Sequence, residues 1–384
     1  MKPIPYGRQW IDEDDIQGVI DVLKGDFLTT GPKVSEFEKK LAEYTGAKYA
    51  VVFSNGTAAL HGACFAADIG PGDKVITTPM TFAASANCAL YMGATPVFAD
   101  VCSDTYNIDP AEIEKKITPD TKAVIPVDFT GQPCDLDAIM MTAEKHNLTV
   151  IEDAAHSIGA KYKGRDIGSI SHMTTFSFHP VKTITTGEGG AVTTNSRELY
   201  EKLLMFRTHG ITREHNRLVN RDEGDWFYEQ HFLGYNYRLT DIQAVLGISQ
   251  LKKLDKFLKL RRDFAKQYNE AFKNTDGITI PYQDTNGLSA WHIYVLQLEL
   301  EKLSIDRKEF YNKLKEYGIG VNVHYIPVYY HPYYRKLGYN KGICPKAEAL
   351  YERIITLPLF AKMEQSEIKY VIDKVKEVVE KSIK

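Results

Sequence analysis

The chain has 384 residues, of which 43% are hydrophobic and 25% charged, which is enough for a large core and for two or three domains. Its net charge of -3 comes from 47 basic and 50 acidic residues that are well mixed, so neither nucleic-acid binding nor a disordered acidic tail is expected. No apolar run approaches the ~20 residues of a membrane-spanning helix, and the N-terminal segment lacks the apolar core of a signal peptide. The five cysteines form no Cys-x-x-Cys pair, which predicts free thiols in a reducing cytoplasm and no metal site.

Helical and strand patterns alternate along the first 156 residues. Residues 11–24 place apolar side chains on one helical face, and acids crowd the first turn, where the helix dipole favours them. Short apolar runs that are typical of buried strands then alternate with segments of helical period. This order predicts an α/β protein with a mostly parallel sheet covered on both faces. The predicted strands are 49–53, 74–78, 96–101, 122–129 and 149–156, and predicted helices begin at 58, 110 and 136.

Two small-residue loops in this half are candidate binding elements. Residues 26–32 follow the first helix, and the Gly and Pro at their end already explain them as a plain helix stop. Residues 54–57 lie between a strand and a helix N-terminus, where free backbone N–H groups and the helix dipole favour an anion. A capping Asn or Thr explains this second loop as well, and in isolation explains it better.

The segment 174–194 carries the most unusual pattern in the chain. An alternating aromatic run is followed by a loop of small residues that ends in two glycines. Ser177, His179 and Lys182 lie at the end of the run and in the loop. A lysine between two strands normally reaches the surface with its charged end, because burying the charge is costly. Here the glycines allow the backbone to approach a ligand closely, and a desolvated loop lysine can become a nucleophile. These two features weaken the interpretation of Lys182 as a surface lysine, and the pattern leaves both interpretations open.

The periodicity changes in the second half of the chain. Residues 209–232 are polar and aromatic with no clear period, which predicts a long loop that is functional or flexible. Thr240 and Gln243 form a capping-box pattern that opens one long helix towards Phe272. The remaining predicted elements are strands over 292–300 and 321–327 and helices over 198–206, 306–317, 347–354 and 366–379.

The sequence SFHPVKTITTGEGG at 177–190 resembles the lysine segment of the DegT/DnrJ/EryC1/StrS family of sugar aminotransferases, which use pyridoxal 5'-phosphate. The sequence EDAAH at 152–156 agrees with a second family pattern, and the similarity extends from near the N-terminus to about residue 360. The resemblance implies the type I aminotransferase fold. It further implies a large cofactor-binding domain over 1–250, a small C-terminal α/β domain over 251–384, and a homodimer with shared active sites.

The resemblance also implies a cofactor site. Lys182 would form the Schiff base and serve as general base and acid. Asp153 would keep the pyridine nitrogen protonated, His156 would orient the ring, and Phe82 would cover one ring face. Each of these three also has a simpler explanation, as a strand-end cap, a structural histidine or a core aromatic residue. The phosphate would be held by Gly56, Thr57, Ser177 and, from the partner subunit, Asn236.

The residues implied to bind substrate are less diagnostic. Residues 323–334 are rich in tyrosine and histidine, which is also typical of an interface that is partly exposed to solvent. In the resembling family this segment contacts the nucleotide-sugar, and the loop matching 26–32 lies at the substrate mouth. The candidate substrate-binding residues are Tyr6, Leu28, Thr29, Thr30, His179, His324 and Tyr325.

The implied reaction is transamination of a nucleotide-linked 4-keto-6-deoxy sugar with glutamate as amino donor. UDP-, GDP- and dTDP-linked sugars all stay open, because pocket shape and a few hydrogen bonds make this choice and no spacing rule encodes them. A non-catalytic regulator that binds a sugar nucleotide would need neither Lys182 nor Asp153. Dehydrating relatives carry histidine in place of the lysine. The presence of both residues favours the aminotransferase.

Overall fold

A computed structural model describes residues 2–384. The α-helices are α1 (Glu13–Lys24), α2 (Pro32–Thr45), α3 (Gly56–Ala66), α4 (Ala84–Tyr91), α5 (Pro110–Lys116), α6 (Leu136–His146), α7 (Arg197–Phe206), α8 (Asp241–Lys252), α9 (Leu254–Phe272), α10 (Arg307–Glu316), α11 (Pro332–Lys336), α12 (Pro345–Arg353) and α13 (Gln365–Glu380). The strands are β1 (Tyr49–Phe53), β2 (Lys74–Thr77), β3 (Thr95–Phe98), β4 (Thr121–Ile125), β5 (Thr149–Asp153), β6 (Lys161–Tyr162), β7 (Arg165–Asp166), β8 (Met173–Ser177), β9 (Gly190–Thr194), β10 (Ile211–Thr212), β11 (Glu229–Gln230), β12 (Ile278–Thr279), β13 (Gly287–Leu288), β14 (Tyr294–Leu298) and β15 (Ile354–Leu357). None of the helices in this range combines the length and apolar character needed to span a bilayer.

Seven strands form the central sheet, in the order β1-β9-β8-β5-β4-β2-β3. Strand β9 is antiparallel to both of its neighbours, and the other six strands run in one direction. The expectation of an α/β fold with a mostly parallel sheet is therefore confirmed. Because six strands point the same way, their carboxyl ends meet at one edge, which is where α/β sheets bind ligands.

The central sheet is buried on both faces. Successive residues of a strand point to opposite faces, so Val51 and Val52 enter two different cores. Helices α2, α6 and α8 contribute to one of these cores, and α3, α4 and α7 contribute to the other. A strand buried on both faces needs a continuous apolar run, which is what the sequence of β1 supplies.

The C-terminal part has its own antiparallel sheet, in the order β12-β14-β15. This sheet shares a core with α10, α13 and the second half of α9. The first half of α9 packs instead into a core of the central sheet, through Leu254, Phe257 and Leu258. Helix α9 thus connects the two parts of the chain, while the domain boundary at residue 250 stays a prediction.

Two predicted elements were wrong. The single helix from Thr240 to Phe272 is two helices that meet at Lys253. The Lys253 ammonium forms ion pairs with Asp12 and Asp15, at 2.6 Å each, and this tertiary contact holds the chain at the break between α8 and α9. The predicted strand over 321–327 is a loop with one bridge, between Asn322 and Thr356, because the residues that follow leave the sheet and line a cavity.

The loop 26–32 is tied to the start of α8. The buried Asp241 carboxylate accepts hydrogen bonds from the N–H groups of Gly31, at 2.8 Å, and Lys33, at 2.9 Å. Its own N–H donates to the Leu28 carbonyl at 3.0 Å. Gly31 has no room for a side chain, since a Cβ there would lie 2.8 Å from an Asp241 carboxylate oxygen. The loop is therefore held in one place, although sequence alone explains it as a simple helix stop.

Candidate active site

A cavity of about 1070 Å³ opens at the carboxyl edge of the central sheet. Its walls come from the residues that follow β1, β2, β5 and β8, and from residues 322–326 of the C-terminal part. Most of the residues that the sequence pointed to are brought together here, although they are far apart along the chain. Those that line the cavity are Tyr6, Gly56, Thr57, Phe82, Asp153, His156, Ser177, His179, Lys182, His324 and Tyr325.

Lys182 lies on the connection between β8 and β9. The connection is closed by hydrogen bonds from the Phe178 N–H to the Gly189 carbonyl, at 2.8 Å, and from the Lys182 N–H to the His179 carbonyl, at 2.9 Å. Burial lowers the pKa of Lys182 to about 8, and the negative charge of Asp153 opposes that shift. An amine with a lowered pKa is more often unprotonated, which is the nucleophilic form. Lys182 is half-buried and lines the cavity, which argues against the interpretation of it as an ordinary surface lysine.

Asp153 ends β5 and faces the same cavity. Its carboxylate is 5% exposed and accepts hydrogen bonds from the Ser85 hydroxyl, at 2.6 Å, and the Ala155 N–H, at 3.1 Å. Burial raises the pKa of Asp153, whereas these two hydrogen bonds and the charge of Lys182 lower it. Within residues 2–384 no cation lies in ion-pair contact with this carboxylate. A buried acid in this state is suited to meet the protonated nitrogen of a ligand.

His156 follows three residues later and is also buried. Its Nε2 atom lies 3.1 Å from the Tyr325 hydroxyl, and its ring centroid lies 4.3 Å from that of His292. Burial, and then the positive charge of Lys182, lower the pKa of His156 well below its ordinary value, so the ring is neutral. Its Nδ1 atom is buried and has no hydrogen-bond partner among the described residues. Such an atom in a cavity wall is available to a ligand.

The N-terminus of α3 lies close to the end of β8 and the start of β9, at the cavity wall. The Asn55 side chain accepts a hydrogen bond from the Ala58 N–H at 2.8 Å, so the capping interpretation of residues 54–57 is correct. The cap leaves other first-turn N–H groups without an acceptor inside the helix. A Cβ on Gly56 would lie 3.0 Å from Ser177 Cβ, and one on Gly190 would lie 2.5 Å from the Asn55 carbonyl oxygen. Only glycine allows these segments to come so close, and a helix N-terminus exposed in this way is suited to an anion.

Aromatic side chains form the remaining walls. Phe82 is 65% exposed, so it is not the core residue that its type suggests. The Tyr6 ring lies 5.6 Å from the ring of His324, whose Nδ1 is 2.9 Å from the Thr356 hydroxyl. Phe82 is therefore an exposed aromatic side chain in the wall of the cavity, to which Tyr6 and His324 also contribute.

Four predicted residues lie outside the cavity of their own chain. Leu28, Thr29, Thr30 and Asn236 are all exposed. Thr29 forms a bridge with Thr240, whereas Asn236 forms a bridge with Thr208. Their roles in binding stay predictions.

Sequence reasoning missed Ser85 and His292. Ser85 is 68 residues from the carboxylate it contacts, and His292 has no spacing pattern that links it to His156. Only the tertiary structure could have found either one. Conversely, two tyrosines of the Tyr-rich segment are buried core residues: Tyr329, which donates to Glu348, and Tyr334, which donates to Asn87.

The residues present fit pyridoxal 5'-phosphate. The N-terminus of α3 at Gly56 suits a phosphate, and the Asp153 carboxylate, which has no ion-pair partner among the described residues, suits a protonated ring nitrogen. The unpartnered Nδ1 of His156 suits a polar ring substituent, and the Lys182 amine suits an aldehyde. Four separate features thus agree with one ligand.

Comparison with known proteins supports the same assignment. The model of the DegT/DnrJ/EryC1/StrS aminotransferase family matches residues 9–376. The chain is 45% identical over 379 residues to the spore coat polysaccharide biosynthesis protein SpsC of Bacillus subtilis, covering 98% of this chain and 97% of that one. It is 40% identical over 383 residues to the UDP-4-amino-4,6-dideoxy-N-acetyl-beta-L-altrosamine transaminase of Campylobacter jejuni, covering 98% of both chains.

A solved structure agrees with the fold over nearly the whole chain. The putative sugar aminotransferase Spr1654 of Streptococcus pneumoniae, in a PMP form, superposes with a TM-score of 0.93 at 34% identity. The match covers 98% of this chain and 99% of the pneumococcal one, which has also been solved in a PLP form. These findings confirm the resemblance, the fold class and the enzyme class: the chain belongs to the DegT/DnrJ/EryC1/StrS aminotransferase family.

Proposed function

We propose that this enzyme transfers an amino group from glutamate to the C4 keto group of a nucleotide-linked 6-deoxy sugar, with pyridoxal 5'-phosphate as cofactor. One observation carries the proposal: the Lys182 amine, with its pKa lowered to about 8, and the buried Asp153 carboxylate face one cavity. Its volume of about 1070 Å³ is at the upper end for small-molecule sites and leaves room for both cofactor and sugar.

The bound cofactor would supply an electron sink for the carbon that loses a proton. The chain would hold it at three points. Gly56, Thr57 and Ser177 would bind the phosphate, and Phe82 would cover one ring face. Asp153 would keep a proton on the ring nitrogen, because a buried carboxylate favours a cation beside it.

Lys182 would move the protons of the reaction. Its Nζ atom would take the proton from the Cα atom of glutamate and, in the second half of the reaction, give a proton to C4 of the sugar. A pKa close to the working pH suits a group that must both accept and donate a proton. The same residue would therefore serve both half-reactions.

The sugar we favour is the UDP-linked 4-keto precursor of 4-amino-4,6-dideoxy-N-acetyl-β-L-altrosamine, in pseudaminic acid biosynthesis. The C. jejuni transaminase named for that product is similar to this chain over 98% of both lengths. SpsC, which carries a different name, is similar at higher identity, so other UDP-, GDP- or dTDP-linked 4-keto sugars of the 4-amino-arabinose or perosamine type are the alternative.

A substrate panel tests this choice. Purified enzyme is incubated with glutamate and each 4-keto nucleotide-sugar in turn, and the amino sugar is detected by mass spectrometry. We expect the UDP-linked 6-deoxy-N-acetyl sugar to give the highest kcat/KM. Preference for a dTDP- or GDP-linked sugar would assign the alternative, and binding without amination of any sugar would favour a regulator.

We further propose a homodimer in which each chain completes the site of the other. Among residues 2–384, the cavity wall contains no arginine, and no lysine except Lys182, although a sugar nucleotide carries two phosphates. The missing cations would come from a second copy. Three apolar side chains that are each more than 70% exposed would pack against this second copy: Val219, Trp226 and Leu233.

Mixing two inactive variants tests the shared site. Lys182→Ala disables the chain's own cavity, whereas Asn236→Ala would disable the cavity of its partner. After denaturation and joint refolding, mixed dimers hold one intact site, so we expect about one quarter of the wild-type activity to return. If each chain uses its own Asn236, no mixed dimer has an intact site and the gain is absent.

We also propose a cytoplasmic location for the enzyme, and its thiols support this proposal. All five cysteines are free, which suits a reducing compartment, and we place the enzyme in the cytoplasm.

The lowered pKa of Lys182 predicts a pH dependence of cofactor uptake. Only the unprotonated amine attacks an aldehyde. The rate at which cofactor-free protein attaches pyridoxal phosphate should rise with pH and level off above about 8, not near the ordinary lysine value of 10.5. Stopped-flow absorbance across this range measures the inflection. Asp153→Asn should move it lower, because the carboxylate charge raises the pKa of Lys182, and an inflection near 10.5 in the wild type would show that the amine is solvated.

A further inference from the structure

We propose that Tyr325 is a positioning residue that fixes the tautomer of His156, so that Nδ1 carries the hydrogen and donates it into the active site. The hydroxyl of Tyr325 lies 3.1 Å from His156 Nε2. This assigns Tyr325 a role besides the substrate contact implied by its place in the cavity wall. The inference rests on the proposed function only where it names the cofactor as the acceptor.

His156 is held as a neutral ring. It is 5% exposed, and its burial, followed by the positive charge of Lys182, lowers the pKa of the ring and disfavours its protonation. The adjacent His292 is buried and neutral for the same reasons. A neutral imidazole has one N–H, so its two nitrogens have opposite roles.

Counting hydrogens decides between the two tautomers. If Nε2 carried the hydrogen and donated to Tyr325, the hydrogen of the tyrosine hydroxyl would need another acceptor, and none lies in reach among residues 2–384. If the Tyr325 hydroxyl donates to Nε2, the hydroxyl hydrogen and the Nε2 lone pair are both paired. Only the Nδ1–H group then remains without a hydrogen-bond partner. Buried polar groups strongly favour the arrangement with fewer unpaired atoms.

No other residue competes for this control. The rings of His156 and His292 are in contact, at 4.3 Å between centroids, but no hydrogen bond joins them. His292 is fixed through its backbone, whose carbonyl accepts a hydrogen bond from the Arg261 guanidinium at 3.0 Å. Tyr325 is therefore the one hydrogen-bond partner of the His156 ring in the described chain.

The selected tautomer matches the cofactor. An Nδ1–H group is a donor and would stabilise the anionic ring oxygen of pyridoxal phosphate, whereas a bare Nδ1 lone pair would repel it. Removing the Tyr325 hydroxyl would let the ring exchange between its tautomers and weaken this contact.

The test reads the tautomer directly in cofactor-free protein. Two-bond ¹H–¹⁵N NMR of histidine-labelled enzyme distinguishes Nδ1–H from Nε2–H rings, and His156→Gln identifies the signal among the 11 histidines. We expect an Nδ1–H ring in the wild type and a mixture or the Nε2–H form in Tyr325→Phe. Tyr6→Phe removes another hydroxyl in the same cavity wall and should leave the signal unchanged. An Nε2–H ring in the wild type, or an unchanged signal in Tyr325→Phe, overturns the proposal.

A second reading uses loaded enzyme. The His156 Nδ1–H group would stabilise the anionic ring oxygen of the cofactor. It would thereby lower the pKa at which the absorption band of the lysine-bound cofactor titrates. In Tyr325→Phe that pKa should rise by about one unit. The NMR result stands without any cofactor, so failure of the tautomer proposal is distinguishable from failure of the proposed function. An unchanged titration would show that Nδ1 does not face the ring oxygen.

Discussion

Lys182→Ala should abolish amino transfer, with kcat reduced by at least about 10⁴-fold. The substitution removes the only amine in the cavity wall, and with it both the covalent attachment of the cofactor and the group that moves protons. Lys182 forms no hydrogen bond through its side chain in the structure, so we expect the fold to be kept. Steady-state rates with glutamate and the UDP-linked keto sugar measure the loss, and circular dichroism checks the fold.

The matched control for this variant is Lys48→Ala. Lys48 is exposed and distant from the cavity, so its removal should leave kcat unchanged. Added methylamine should restore part of the activity of Lys182→Ala, because a small amine fits the space that the side chain leaves. A Lys182→Ala enzyme that keeps more than a few per cent of wild-type kcat would show that another group carries the protons.

Asp153→Asn should have the second largest effect. Asparagine keeps the shape and can still bond to Ser85 and Ala155, but it removes the negative charge that would hold a proton on the ring nitrogen. Breaking a buried ion pair costs about 3–5 kcal/mol, which corresponds to roughly 10²- to 10⁴-fold in kcat. The cofactor should still bind, with a changed absorption spectrum.

Asp100→Asn is the control for burial. Asp100 is 5% exposed, the same as Asp153, but it accepts hydrogen bonds from the N–H groups of Lys346 and Ala347 and lies outside the cavity. This variant should lose stability and keep its kcat. Equal losses of kcat in the two variants would mean that Asp153 acts through the fold and not through the ring nitrogen.

Local patterns in the sequence were sufficient for the elements that position the site. Strand β1 begins and ends, and helix α6 begins, where the apolar period and flanking residues predict. The capping box at Thr240 and Gln243 is also present. These elements are specified by neighbours along the chain, so no tertiary information is needed to find them.

Features that depend on distant contacts were not predictable. The break at Lys253 is fixed by carboxylates of α1, more than 200 residues earlier. The hydroxyl of Ser85 reaches Asp153 only because α4 and β5 meet at the same sheet edge. Asn236 lies outside the cavity of its own chain, and its predicted role depends on a second copy of the chain.

The central claim is that Lys182 and Asp153 carry glutamate-driven amino transfer, and the visible absorption spectrum tests it most directly. Purified enzyme loaded with pyridoxal phosphate is measured before and after addition of glutamate. The account predicts that the band of the lysine-bound cofactor is replaced by that of the aminated cofactor, and that a UDP-linked 4-keto-6-deoxy sugar restores it. A band that glutamate leaves unchanged, or a protein that takes up no cofactor, would contradict it.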